Sequence, residues 1–259
     1  MLDRLRRRSF GLRSFVRRLR SPVTARHVEH SLLFSLDDDP SRPSDRLLGT
    51  AIAAVSAARS IRLDDVSARI EEGPLFPSLW PGEHYRLLAA LVHVLQPQVV
   101  IEIGTYTGLS ALSMKTTLPP SSRLVTFDIT AWQSVPKALL NASDFADGRL
   151  SQIVDDITVP LGAARYSDLL ASADLIFIDA AKDSVMESRL LNIFDSMNFR
   201  HSPIIALDDI RLWNMLSVWR SISRPKLDLT SFGHWSGTGL VDWTPPPLGR
   251  PDAQQVVGR

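Results

Sequence analysis

Cysteine is absent from all 259 residues. Its absence removes disulfide staples, thiolate zinc centres and cysteine nucleophiles in one step, and suits a reducing cytosol. Long apolar runs are missing as well: no window approaches the roughly 18 uninterrupted apolar residues of a membrane-spanning helix. Arginines recur through the first 20 residues, leaving no place for the apolar core of a secretory signal. Nor is there a large charge excess, the formal net charge being +1. These absences predict a soluble, cytoplasmic protein. Hydrophobic residues make up 44% and charged residues 22%, ordinary values that exclude wholesale disorder. The length suffices for one large α/β domain or two small ones.

The near-neutral total conceals a division. Residues 1–30 carry nine arginines against Asp3 and Glu29, whereas the other 20 basic residues face 26 acidic ones. A basic arm is thus joined to a mildly acidic body. Over residues 1–20, Leu5, Leu12, Phe15, Val16 and Leu19 cluster loosely between arginines. Such a segment, if helical, can lie on an anionic membrane surface or dock on a partner. A solvated arm and an organelle-targeting peptide fit the same composition. Nucleic acid is disfavoured as a partner, because the arginines are confined to the arm and no basic groove is evident in the body.

Breakers at residues 37–45 mark a linker, an alanine-rich helical stretch covers 47–61, and prolines punctuate 74–81. A helix is predicted from Gly82 to about Leu95. Then apolar runs at 98–103, 123–128, 150–154, 175–179 and 203–207 alternate with helical stretches at 107–117, 133–142, 160–171 and 184–197. Strands spaced by helices imply parallel pairing through right-handed crossovers, and near-continuous apolar strands imply burial on both faces. The fold expected is a Rossmann-like, doubly wound α/β sheet. After a helix at 212–222, β-like runs at 226–232 and 239–243 predict an antiparallel edge hairpin. The organisation is therefore a basic arm (1–36), a helical segment (37–82), a main domain (83–245) and an irregular tail (246–259).

The strongest local signal is Val99-Val-Ile-Glu-Ile-Gly-Thr-Tyr-Thr-Gly-Leu-Ser110. A buried strand enters a tight loop bounded by Gly104 and Gly108, and a helix follows at once. Gly104 would let the chain turn and a ligand approach the backbone, while Gly108 would permit close helix contact. N–H groups at the helix start face whatever lies in the crevice. A dinucleotide site requires G-x-G-x-x-G, and Tyr106 occupies the place of its second glycine. Strand two ends in Val-Thr-Phe-Asp128, where doubly wound folds put an acid for a ribose diol. A βα turn without function and a turn-capping aspartate are the plainer readings of these two features.

Glu-Ile-Gly-Thr-Tyr-Thr-Gly-Leu-Ser followed by Thr-Phe-Asp resembles the first two motifs of class I S-adenosylmethionine-dependent O-methyltransferases, of the catechol and caffeoyl-coenzyme-A type. The resemblance spans residues 83–215. It implies that Glu102 and Gly104 line the methionine end, with Thr105, Tyr106, Gly108 and Ser110 completing the loop. Asp128 would hold the ribose, Trp132 would pack on the adenine, and Asp155 or Asp156 would approach the adenine amino group. The base-modifying relatives' Asn-Pro-Pro-Tyr or Asp-Pro-Pro-Tyr sequence is not present. Dimers among the relatives imply a homodimer.

Two further strands end in carboxylates: Asp179-Ala-Ala-Lys182-Asp183 and Asp208-Asp209. Parallel strands deliver their C-terminal ends to one rim, so these acids should converge on the crevice. Gathered carboxylates repel one another unless a cation neutralises them, and oxygen ligands suit Mg²⁺, Mn²⁺ or Ca²⁺. The Asp-Ala-Ala-Lys stretch is similar to the family's metal-dependent branch, which makes Asp179, Asp208 and Asp209 the metal ligands and Lys182 a base, with Asp179 also touching the cofactor. Where that branch has Asp-Asn this chain has Asp208-Asp209, changing the site charge by −1. His84, His201 and His234 are read as core or solvated residues, with His234 in a turn overhanging the acceptor pocket. The function expected is methyl transfer from S-adenosylmethionine to a hydroxyl of a small molecule. An NAD-linked oxidoreductase and a non-catalytic Rossmann-like scaffold are the competing classes.

Overall fold

The computed structural model describes residues 41–71 and 83–245. The basic arm, the proline-punctuated stretch 72–82 and the tail lie outside the described residues. Seven strands form one mixed sheet in the order β3-β2-β1-β4-β5-β7-β6. These are β1 Val99–Ile103, β2 Arg123–Asp128, β3 Leu150–Val154, β4 Leu175–Ile178, β5 Ile204–Asp208, β6 Lys226–Asp228 and β7 Thr238–Asp242. The first five are parallel. β7 slots between β5 and β6 and runs antiparallel to both, which is the edge pair expected.

Side-chain alternation explains why the sheet is covered on both faces. On one face Val100, Leu124, Leu175, Phe177, Ile204, Ala206 and Leu240 are buried. They pack against α1 Asp45–Ala58, α3 His84–Leu95 and α4 Leu109–Lys115; α2 is the single turn Asp64–Ser67. Residues of opposite parity, including Ile101, Val125, Phe127, Ile176, Ile205 and Val241, form the second layer. There they meet α6 Ser167–Ala171, α7 Val185–Asp195 and α8 Met215–Ser221. Alanines 51, 54 and 58 on the buried stripe of α1 let it lie close to α3. Ser44 caps α1 and donates to Asp242 at 2.6 Å, while Arg46 pairs with the same carboxylate at 2.6 Å. The helical segment before residue 72 is thereby tied to β7 and is part of the same body.

Three expectations need correction. No helix spans residues 133–142; short 3₁₀ turns at Trp132–Ser134 and Ala142–Phe145 stand there. Pro136 keeps Val135 extended and removes an N–H, and Lys137 adopts a positive φ of 58°, so helical bonding cannot propagate. The segment is pinned from outside: Leu139 N–H donates to Thr107 O at 2.8 Å, and Arg69 clasps Asp144 at 2.7 and 2.8 Å. The helix of 160–171 is two pieces, α5 Pro160–Arg165 and α6, broken at Tyr166, whose ring packs on Phe127. The run 226–232 stops pairing at Asp228, because its carboxylate captures the Thr230 N–H and turns the chain.

Candidate active site

The cofactor loop is organised by Asp128 at the end of β2. Its Oδ2 accepts the Thr105 and Tyr106 N–H groups at 2.9 and 3.0 Å, and Oδ1 accepts that of Thr130 at 2.9 Å. The Thr130 bond makes it a turn-capping aspartate, and the other two make it a clamp on the loop. Gly104 (φ 103°) is required for a reason other than ligand approach: a Cβ there would lie 1.9 Å from the carbonyl oxygen of Asp179. Bare backbone at residue 104 thus lets the ends of β1 and β4 meet. Gly108 (φ 84°) faces the Leu140 side chain, which a Cβ would meet at 2.3 Å, so it serves close packing as expected, though against a loop residue. Tyr106, held at φ 41°, is exposed at the tip.

Behind the loop, Glu102 is fully buried on β1. Ser110 at the start of α4 donates to its Oε1 at 2.5 Å, while Oε2 has no partner. Burial pushes this carboxyl up to about 8, partly offset by hydrogen bonds from Ser110 and Thr126. Thr105 and Thr126 hydroxyls bond at 2.7 Å, and Gln152 ties Thr105 Oγ1 to the Trp132 backbone. The crevice wall is thus a connected polar network with one unmatched acceptor.

The second half of the rim is built from the loops after β4 and β5 and before β7. Lys182 lies 3.0 Å from Asp179 and 3.9 Å from Asp208, and its ammonium contacts Asp209. His234 Nδ1 sits 3.2 Å from Asp208 and 3.4 Å from Asp209. Ser236 donates to Asp209 and lies 2.8 Å from the same His234 nitrogen. Asp208, Asp209 and His234 each offer an atom within 4.8 Å of the others. Asp179 joins this group through Lys182. Lys182, Ser184, Asp209 and Trp213 all have positive φ, so left-handed non-glycine residues concentrate in these two loops, as at strained functional sites. Glu187 holds the first loop by accepting the Lys182 and Ser184 N–H groups at 2.6 and 3.0 Å.

Crowding of charge sets the protonation of the cluster. Burial, then Asp208, pushes Asp179 up to about 7 against the pull of Lys182. Burial opposes the Lys182 charge, yet Asp179 and Asp209 hold its ammonium above the ordinary lysine value. The lowered pKa that a lysine base needs is therefore not met in this arrangement. Burial likewise opposes ionisation of Asp209, but His234, Lys182 and Ser236 hold it well below the usual carboxylate range. His234 is raised to about 9, its hydrogen bonds to Asp208 and Asp209 outweighing burial. His84 is lowered, chiefly by burial.

Other predicted residues fall as follows. Trp132 stacks on Phe145 with centroids 5.6 Å apart, leaving one face uncommitted by that contact. Asp156 spends Oδ1 on the Thr158 N–H and hydroxyl, and Asp155 binds Arg165 and the Tyr166 hydroxyl. Asp183 accepts the N–H groups of Val185 and Met186 at the start of α7. His201 pairs with Asp174 at 2.6 Å where the chain enters β4, the end of the sheet away from the crevice. His84 is a core residue, as read, but one that borders the cluster: its Nδ1 is 3.2 Å from Thr238 Oγ1 and 3.8 Å from Asp208.

Several rim residues escaped the sequence reading. Ile129, directly after Asp128, is 76% exposed, and Trp213 and Trp235 are 55% and 68% exposed in the loops that carry Asp209 and His234. An apolar side chain next to a strand-end acid was the available signal. Ser236 and Thr238 carried none, because their roles depend on pairing between β5 and β7.

Comparison with known proteins bears on the family of the chain. The family model described as O-methyltransferase matches residues 55–220. Mouse catechol O-methyltransferase is 28% identical over 41% of this chain and 40% of its own length. Caffeoyl-CoA O-methyltransferase of Pinus taeda is 26% identical over 50% of this chain and 49% of its own. The chain thus spans about half the length of the curated relatives it matches. A solved SAH-bound methyltransferase from Podospora anserina has a TM-score of 0.49 at 16% identity, covering 76% of this chain and 88% of that one. With the family match covering well over half of its residues, the chain belongs to the O-methyltransferase family.

Proposed function

We propose that the protein transfers the methyl group of S-adenosylmethionine to a hydroxyl of a small molecule, a phenol being the acceptor class that best suits the rim. One observation carries this reading. The Asp128-clamped loop and the acidic cluster lie at the C-terminal ends of adjacent strands, where a donor and an acceptor can meet. The crevice residues fit the cofactor by a simple criterion: Glu102 Oε2 is a buried acceptor without a donor, and a cationic amine would satisfy it. Asp128 would hold a ribose hydroxyl. Ile129 and Trp132 would flank the base, with Asp156 nearby. When bound, the sulfonium supplies an electrophilic methyl.

The chain's own residues position and ionise the acceptor. With no ion in the cluster the hydroxyl proton would pass to Asp179, whose pKa of about 7 suits a base at neutral pH; with an ion held on the same carboxylate, the ion's charge would ionise the hydroxyl instead. Lys182, kept charged, stabilises the developing oxyanion, while Trp213 and Trp235 offer flat apolar faces to a ring. Asp179, Asp208 and Asp209 would hold a divalent ion, Mg²⁺ or by the same oxygen chemistry Mn²⁺ or Ca²⁺. The oxygens of Asp208 and Asp209 lie close enough together to share such a cation, whose charge the Lys182 ammonium supplies where no ion is bound. The ion would supply charge that lowers the pKa of a coordinated hydroxyl.

A cytoplasmic location, contact of the basic arm with an anionic surface, and a homodimer belong to the same proposal and rest on composition and family resemblance. Among the described residues no helix is long and apolar enough to cross a membrane. Calorimetry with S-adenosylmethionine and with NAD, followed by radiolabelled methyl transfer to a phenol panel, tests the reading. Micromolar binding of the first nucleoside and label in the acceptor are expected. Binding of NAD alone, or of neither, overturns it.

A further inference from the structure

We propose that the mouth of the crevice rests on an anionic lipid surface, and that the acceptor is an apolar phenol dissolved in that lipid. The proposal deepens the reading above and rests on it for the reaction, but not for the surface contact. It starts from where the exposed apolar side chains stand. Among the described residues ten large hydrophobic side chains are exposed, and only Leu48 and Ile52 of these lie on α1. The other eight stand at the end of the sheet where the crevice opens.

One bank of the crevice follows β1, β2 and β3. Tyr106 is at the tip of the cofactor loop, Ile129 follows Asp128, and Val154 ends β3 in register with Asp128. Val159 and Leu161 continue this bank into the first turn of α5, Leu161 being 83% exposed. Asp128 joins these loops, its carboxylate accepting the Tyr106 N–H and its carbonyl the Asp155 N–H at 3.0 Å. The opposite bank holds Val185 at the start of α7, Trp213 after β5 and Trp235 before β7. Asn214 Nδ2 donates to Asp183 O at 3.4 Å and Arg211 N–H to Ser236 O at 2.9 Å, so those three loops are tied as well. Apolar tips on braced loops thus flank the crevice on both sides.

An isolated exposed apolar residue is ordinary, but a concentration of them around one opening marks an interaction surface. A protein seated there would close the route by which an acceptor enters. A lipid surface covers the same tips and delivers the acceptor. Tryptophan and tyrosine settle at membrane–water interfaces, and binding there grows with buried apolar area and with attraction to anionic lipid.

Charge complementarity selects the headgroups. Residues 1–30 carry nine arginines against two acids, and basic segments are drawn to anionic lipid. Ser44 is bound to Asp242 at the far end of the sheet. The chain before residue 41 spans up to about 130 Å when extended, ample to reach a surface at the mouth. The carboxylates at the mouth do not oppose the contact. Asp155 is engaged by Arg165 and Tyr166, Asp183 accepts two N–H groups, and Lys182 and His234 face Asp208 and Asp209.

The test uses the full chain and vesicles of phosphatidylcholine, with and without phosphatidylglycerol. Co-sedimentation gives the affinity, and quenching of tryptophan fluorescence by brominated lipid reports entry of Trp213 and Trp235. The parent should be quenched and should bind the anionic vesicles roughly tenfold more tightly than the neutral ones. Leu161→Glu combined with Val185→Glu puts a charge on each bank, and glutamate in a first helical turn suits the helix dipole, so the fold should hold. Should the pair unfold the chain, Leu161→Glu alone serves. Vesicle affinity of the variant should fall roughly tenfold or more. Methyl transfer to a long-chain alkylphenol carried in the vesicles should fall with it, while transfer to a water-soluble phenol and affinity for S-adenosylhomocysteine are retained. Ile52→Glu, on α1, should change none of these. No vesicle binding, binding without tryptophan quenching, affinity that survives the variant, or an equal loss in Ile52→Glu overturns the proposal. So does a homodimer that the variant splits, since a second copy would then cover the tips. Vesicle binding without nucleoside affinity or methyl transfer defeats the methyltransferase reading and leaves the surface contact standing.

Discussion

Replacing Asp128 with asparagine separates a loop staple from a cofactor ligand. Three backbone N–H groups already bind the carboxylate, two on Oδ2 and one on Oδ1. A carboxylate has about four lone-pair sites, so capacity for a sugar hydroxyl remains. In Asp128→Asn the amide oxygen can still accept from Thr105 and Tyr106. The amide NH₂ then faces the Thr130 N–H, donor against donor, and cannot accept a hydroxyl. Losing one charge-assisted hydrogen bond to the sugar costs about 1.5–3 kcal/mol. At about 1.4 kcal/mol per tenfold, nucleoside affinity should fall roughly 10- to 100-fold. The fold should lose only about 1–2 kcal/mol, because the Thr130 bond is solvent-accessible. Calorimetry with S-adenosylhomocysteine beside urea unfolding of the same preparation measures both. A lowered unfolding midpoint with affinity within threefold of the parent would refute the ribose role and leave Asp128 a staple.

Gly104→Ala places a Cβ 1.9 Å from the Asp179 carbonyl at a φ of 103°, and should cost about 3 kcal/mol or more in urea unfolding; a loss under 1 kcal/mol would mean that β1 and β4 can separate freely. Arg69→Ala strips a two-pronged partner from the buried Asp144 and should cost about 2–3 kcal/mol, discounted for the partly exposed guanidinium; an unchanged midpoint would show that the 139–145 loop is held otherwise. With divalent metal chelated, activity should rise with pH through about 7 as Asp179 loses its proton. Lys182 pulls that pKa down, so Lys182→Met should move the acid limb to higher pH, and an unmoved limb would exclude Asp179 as the proton acceptor. The sign for stability is opposite: a carboxyl raised from its ordinary 3.8 to about 7 on folding favours the folded state most at low pH and loses that contribution as pH climbs between the two values.

The layered sheet was legible because its signals are local. The central strands β1, β4 and β5 are short, fully buried and almost wholly apolar runs that need no tertiary information to recognise. Strand-end acids were legible for the same reason: parallel topology sends Asp128, Asp179 and Asp208 to one rim without any knowledge of side-chain packing. What failed was also local, namely residues 133–142, where Pro136 overrode an otherwise helical composition. The glycine at 104 was recognised, but its cause was not, because the atom that forbids a side chain belongs to Asp179, on another strand. Lys182 shows the same limit. Its spacing from Asp179 is visible in the sequence, while the Asp209 contact that keeps it charged is a tertiary fact.

His234 marks the deepest of these limits, and the direction of one strand explains it. In a parallel sheet the residues that precede a strand lie at the opposite end from those that follow its neighbour. β7 is antiparallel to β5 and pairs Thr238 with Asp208. Residues 234–237, just before β7, are therefore carried to the same rim as residues 209–211, just after β5. A parallel seventh strand would have delivered the histidine to the far side, beside His201 and Asp174. The reversed edge strand thus does more than finish the sheet: it brings an imidazole to a pair of carboxylates. The acid at 209, which adds a negative charge relative to the Asp-Asn pair that the motif resembles, stands opposite the one residue on that turn able to offset it.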